Sequence, residues 1–166
     1  MKTPILRTVM AGLAGGMALN LVMILTFLLL GFGVNKEGIL LDPSLQSAKV
    51  ISVWTVLEPI PLVVASPAPI VVGLLLFGIC HAFIYGWLSP NWPAGIIPRG
   101  LRMGMLVFFL SFLFWEFFTP FNMFGEPGPL IGLELIFWAM IAFADGFAIA
   151  AVFEFRPKKV KQGAES

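Results

Sequence analysis

From Thr8 to Val34 not one residue of this chain is charged, and three further apolar runs follow it. A bilayer core about 30 Å thick is crossed by about 20 apolar residues of helix. Inside that core every backbone N–H and C=O needs a partner within the protein, so only helices and closed β-barrels can span it. These runs are continuous rather than alternating, which selects helices. Composition points the same way: 59% of residues are hydrophobic and 11% charged, where soluble domains carry about a quarter charged. The expected fold is therefore all-α, an integral membrane four-helix bundle. One transmembrane domain over residues 1–155 holds spans at about 8–33, 70–88, 101–119 and 130–155.

The first run opens after Lys2 and Arg7. A cleaved signal peptide is the alternative reading, but its apolar core would be about 7–15 residues and would precede a small-x-small site, which is missing here. A retained first span is expected. Within it Gly12, Gly16, Ala14 and Ala18 form small-xxx-small patterns followed by Asn20, the signature of close helix packing with an interhelical hydrogen bond.

The next stretch changes character, with Lys36, Glu37, Asp42, Lys49, Glu58 and several prolines. Asp42-Pro43 is a good helix start, an N-cap carboxylate followed by proline at the first helical position. Leu45, Ile51, Trp54 and Leu57 recur at loose helical spacing until Glu58-Pro59. This reads as a short interfacial helix in the first outer loop, at about 43–58, with Trp54 at the headgroup level. A fifth span or re-entrant loop over residues 44–66 is the alternative, and Lys49, Glu58 and two prolines weigh against it.

Lysine and arginine positions give orientation. Lys2 and Arg7, Arg99 and Arg102, and Arg156, Lys158, Lys159 and Lys161 are eight of the ten. Four spans put all eight on one side, which the positive-inside bias makes cytoplasmic. Both termini are then cytoplasmic, residues 156–166 form a basic cytoplasmic tail, and the expected location is the bacterial inner (plasma) membrane.

An internal repeat is also visible. Shifting the second span onto the fourth by 60 residues aligns Pro67, Pro69, Phe77, Ala82, Phe83 and Gly86 with Pro127, Pro129, Phe137, Ala142, Phe143 and Gly146. Gly12 and Gly16 echo Gly100 and Gly104. A duplicated helical hairpin related by an axis along the membrane normal would produce this pattern.

Carboxylates at membrane depth are costly and mark sites. Glu116 and Glu134 fall within the outer third of their spans, beneath a link carrying Asn122 and Glu126, with Glu58 in the other outer loop. Such a group attracts a divalent cation or a cationic ligand. The structural alternative is that each carboxylate is protonated or bonded to indole and backbone donors. Sites of this kind have no fixed spacing, so the residues name neither metal nor cofactor. The short third link makes the two helices antiparallel neighbours, and the glutamates are expected to share a partner with Asn122, Trp115 or the first outer loop.

A second pair is His81 and Asp145, both about 20 Å below the outer boundary at 1.5 Å per residue. Tyr85 lies one turn from His81. The pair suits proton relay or a structural bond between helices, and a single histidine cannot supply bis-histidine haem ligation. Cys80 lies in an apolar run and reads as a buried structural thiol.

No GxGxxG, P-loop, HExxH or CxxC motif occurs, and no basic patch with interleaved aromatics suggests nucleic acid. The expected partners are the lipid bilayer and other membrane subunits or a second copy of the chain. The leading functional expectation is a non-enzymatic subunit or assembly component of a membrane complex. The alternatives are a small transporter or channel using the intramembrane carboxylates and His81, and a membrane enzyme acting on a lipid or quinone.

Overall fold

A helix pays for its own backbone hydrogen bonds, and this chain uses almost nothing else. The computed structural model describes residues 5–155 and contains no strand among them. Lys2 and the basic segment 156–166 lie outside the described residues. Four helices are long and apolar enough to cross a membrane: Ile5–Phe32, Ala68–Asn91, Ile96–Met123 and Gly128–Glu154, referred to below as the first to fourth spans.

The later spans begin earlier than the sequence suggests, and prolines are the reason. Pro69, Pro98 and Pro129 all sit in the first turn of a helix, where the missing N–H would have had no helical partner. Proline also failed to end the third span at Thr119. Phe108–Phe112 and Phe117–Met123 are wound as π-helix, and the second stretch carries Pro120 inside it. This wider winding is a recognised helix irregularity. A third π stretch, Ile24–Phe32, ends the first span.

The helix of the first link is shorter than expected, Ala48–Thr55 in place of 43–58. Asp42 does not cap it. Its Oδ1 accepts instead from the Ser44 amide at 2.8 Å and the Ser44 hydroxyl at 2.7 Å, a local turn that competes with helix initiation. Those bonds hold the exposed Asp42 carboxyl below its ordinary range. Ser47 takes over as N-cap, its hydroxyl accepting from the Val50 amide. Trp54 packs against Phe32 at the end of the first span, with ring centroids 5.1 Å apart.

The first span packs along both the second and the fourth, and the third packs along the fourth. Glycines set these contacts. A methyl group on Gly12 would lie 2.4 Å from the Ile79 Cα, and one on Gly78 would lie 2.4 Å from the Gly16 nitrogen. In the other hairpin a methyl on Gly146 would lie 2.5 Å from the Gly100 carbonyl oxygen. Asn20 donates to Val71 on the second span at 3.2 Å. The glycine that meets Gly12 and Gly16 is thus Gly78. Gly86, which the sequence alignment sets opposite Gly146, has only the Phe153 ring near it. The two hairpins share glycine contacts in a register two turns away from the aligned one.

Side chains tie the ends. The Arg7 guanidinium donates to the carbonyls of Val152, Phe153 and Phe155, and Arg99 pairs with Glu154. Cations near helix C-termini complement the dipole there. At the opposite end Gln46 donates to Glu126, and Lys49 donates to the Met123 carbonyl. The first and third links therefore meet at one end of the molecule, called here the carboxylate end. The second link and residues 5 and 155 mark the arginine end.

Candidate functional site

At the carboxylate end the third and fourth spans are joined by a very short link. Gly125 takes a positive φ of 66°, a left-handed turn that glycine enters without steric cost. The Glu126 amide then donates to the Pro120 carbonyl at 3.1 Å. The result brings Glu116, Glu126 and Glu134 together, each offering an oxygen that lies within 4.8 Å of the other two. All three are buried, at 0%, 4% and 8% exposure.

Trp138, one turn beyond Glu134, forms the floor. Its indole N–H donates to Glu116 Oε2 at 2.9 Å. The ring stacks on Phe112, centroids 4.5 Å apart and planes 15° apart, and leans on Phe27 at 4.6 Å. The first link supplies a roof: buried Gln46 donates through Nε2 to Glu126, while its own Oε1 accepts from the Ser47 amide at 2.8 Å. Glu116 Oε1 is buried and accepts from no N–H or hydroxyl group among the described residues.

Burial pushes the Glu126 carboxyl up, and the bond from Gln46 opposes that only in part. The folded chain therefore keeps a proton on Glu126 at pH values where the unfolded chain has released it, just above the ordinary 4.5. Stability falls with rising pH when the folded state binds more protons. In chelator-containing detergent solution, the thermal midpoint should drop as pH rises from that ordinary value through the raised one. Glu126→Gln should flatten this slope. A midpoint that climbs over the same window would contradict the burial argument.

Deeper in the molecule, His81 Nδ1 and Asp145 Oδ2 are 2.6 Å apart, with both side chains buried. Asp145 Oδ1 has no hydrogen-bond partner among the described residues. Gly15 of the first span makes room for it: a methyl there would lie 2.3 Å from this oxygen. The His81 ring sits against Phe77 with centroids 4.1 Å apart. Such a pair can hold a proton between imidazole and carboxylate. Glu134 and Asp145 are about three turns apart on one helix, so the two groups are separated by about 16 Å along its axis.

Other residues singled out by sequence lie elsewhere. Asn122 is exposed, in an outward groove with Phe109, Leu113, Phe114, Phe117 and Phe118. Glu58 is exposed and accepts from the Ile60 amide two residues on. Trp115 is 51% exposed: adjacent helical residues point about 100° apart, and it is Glu116 that turns inward. Tyr85 is buried, its hydroxyl without a hydrogen-bond partner among the described residues, and it packs between Trp92 and Phe153 toward the arginine end. Cys80 is exposed on the outer face of the second span, because its neighbour His81 takes the inward position. Sequence reasoning missed Gln46, Gly15 and the role of Trp138. Comparison with protein-family models, with curated proteins and with solved structures finds no match to this chain.

Proposed function

We propose that this protein is a small, non-enzymatic integral membrane protein that handles a cation, in the manner of a transporter or channel. Its seat is the bacterial inner membrane, with both termini cytoplasmic and the carboxylate end outside. Among the described residues Arg7, Arg99 and Arg102 belong to the arginine end, and the orientation rests on them and on the positive-inside bias.

The observation that carries the functional reading is the placement of the ionisable side chains. Glu116, Glu126 and Glu134 at one end and His81 with Asp145 deeper in are turned into the protein and buried. Ionisable groups kept inside a membrane bundle at such cost mark ion and proton pathways. The test is reconstitution of the chain alone into proteoliposomes loaded with indicators for protons, Na+ and Ca2+. Cation flux above that of empty vesicles, lost in Asp145→Asn, is the expected result. Vesicles no more permeable than empty ones would overturn the reading.

A second reading, a subunit or assembly component of a membrane complex, draws on the third span. Its outward groove places one amide, Asn122, among exposed phenylalanines, and polar side chains hydrogen-bond between helices in membranes. Native mass spectrometry from mild detergent that finds a stoichiometric partner, together with absent flux, would favour it.

A further inference from the structure

We infer that Glu116, Glu126 and Glu134 form a site for one hard divalent cation of the Ca2+ or Mn2+ class. This deepens the cation-handling reading by naming the class of ion.

Geometry comes first. Oxygen ligands about 2.3–2.6 Å from a Ca2+ ion lie about 3.3–3.7 Å apart when at right angles and about 4.6–5.2 Å apart when opposite. One oxygen from each of the three glutamates falls within 4.8 Å of the others, so a single ion can reach all three. The donor set is all carboxylate, which suits Mg2+, Ca2+ and Mn2+ rather than a softer metal. Mg2+ is the poorer fit, because it keeps most of its water and is bound through one or two carboxylates. Zn2+ is normally held by cysteine and histidine. The only histidine of the chain, His81, is engaged with Asp145.

A second observation is independent of the clustering. Glu116 is fully buried, and Trp138 fixes its Oε2. Among the described residues no N–H or hydroxyl group donates to the remaining oxygen, Oε1. A buried acceptor left without a partner is destabilising, more so when it is charged. A bound cation supplies that partner. Charge agrees: three ionised glutamates need more than one positive charge, and a divalent ion supplies two where Na+ supplies one. The nearest described lysine, Lys49, is turned to the Met123 carbonyl and the Phe124 ring. No arginine or lysine pairs with the three carboxylates among the described residues.

The competing arrangement is a set of protonated glutamates holding one another by hydrogen bonds, and a direct metal titration separates the two. The full chain in detergent at neutral pH and moderate NaCl is titrated with Mn2+, with free ion followed by electron paramagnetic resonance. One Mn2+ bound per chain, displaced by Ca2+ and not by added Na+, is expected. Glu126→Gln, which lies outside the spans and spares insertion, should weaken binding about tenfold or more. Glu116→Gln and Glu134→Gln should do the same, while Glu37→Gln and Glu58→Gln leave it unchanged. If the wild-type chain binds no Mn2+, or if binding ignores Glu126→Gln and follows Glu37 or Glu58, the inference is wrong. Failures remain separable: Mn2+ binding without flux removes the transport reading and leaves the site, whereas Na+ or proton flux without Mn2+ binding does the reverse.

Discussion

Asp145→Ala should destabilise the folded protein by at least about 1–3 kcal/mol, the loss when a buried hydrogen-bonding group is left without its partner. Asp145 and His81 are both buried and 2.6 Å apart, between helices that touch little otherwise. Removing the carboxylate leaves the imidazole without its partner in an apolar surround, and it also leaves space beside Gly15, where Asp145 Oδ1 now sits. His81→Ala should cost a similar amount. The double variant should cost clearly less than the sum of the two, since neither buried group then remains unpaired. Reversible unfolding in mixed micelles with increasing SDS measures all three. Single losses below about 1 kcal/mol would place the pair among bonds of ordinary net strength.

The second large effect is expected at Gly78. A methyl there would lie 2.4 Å from the Gly16 nitrogen and 2.6 Å from the Gly12 carbonyl oxygen. Both obstacles are backbone, so no side chain can swing aside, and the first and second spans must part. Gly78→Val should cost at least the upper end of the 1–3 kcal/mol range typical of overpacking, about 3 kcal/mol. The Asn20 bond to Val71 should weaken with it. Gly73 is the control, on the same helix with nothing within 4 Å of the added carbon. Gly73→Val should change stability little, because glycine is itself a poor helix residue. Equal losses at the two positions would mean that helix propensity, not contact between backbones, decides the outcome.

The four helices were legible because two physical requirements coincide in them: apolar length and complete pairing of backbone groups. The inward turn of Glu116 and Glu134 was legible for a related reason, the cost of a carboxylate facing lipid. Choosing Trp138 over Trp115 as partner was not, since that depends on the rotational phase of the third span, and π-wound stretches alter the phase locally. Gln46 gave no signal at all. It belongs to an irregular link and meets Glu126 across 80 residues of chain, where no periodicity operates. The Asp42 cap failed because Ser44 offered the carboxylate two nearer donors. Gly12, Gly16, Ala14 and Ala18 read as small-xxx-small packing patterns, without Gly15. In the structure Gly12 and Gly16 face the second span, while the unread Gly15 faces Asp145.

Residues 116–138 contain Glu116, Glu126, Glu134 and Trp138 on a single helical hairpin. Synthesis runs from the N-terminus, so the glycine contact between the first two spans can close before any of these acids has left the ribosome. The acids then arrive together on one pair of helices, and Glu126 meets Gln46 at a half-built bundle already in place. His81 waits longer: its carboxylate is on the fourth span. The fourth span, made after the other three, docks into a slot shaped by Gly15, and until it does so His81 has no carboxylate beside it.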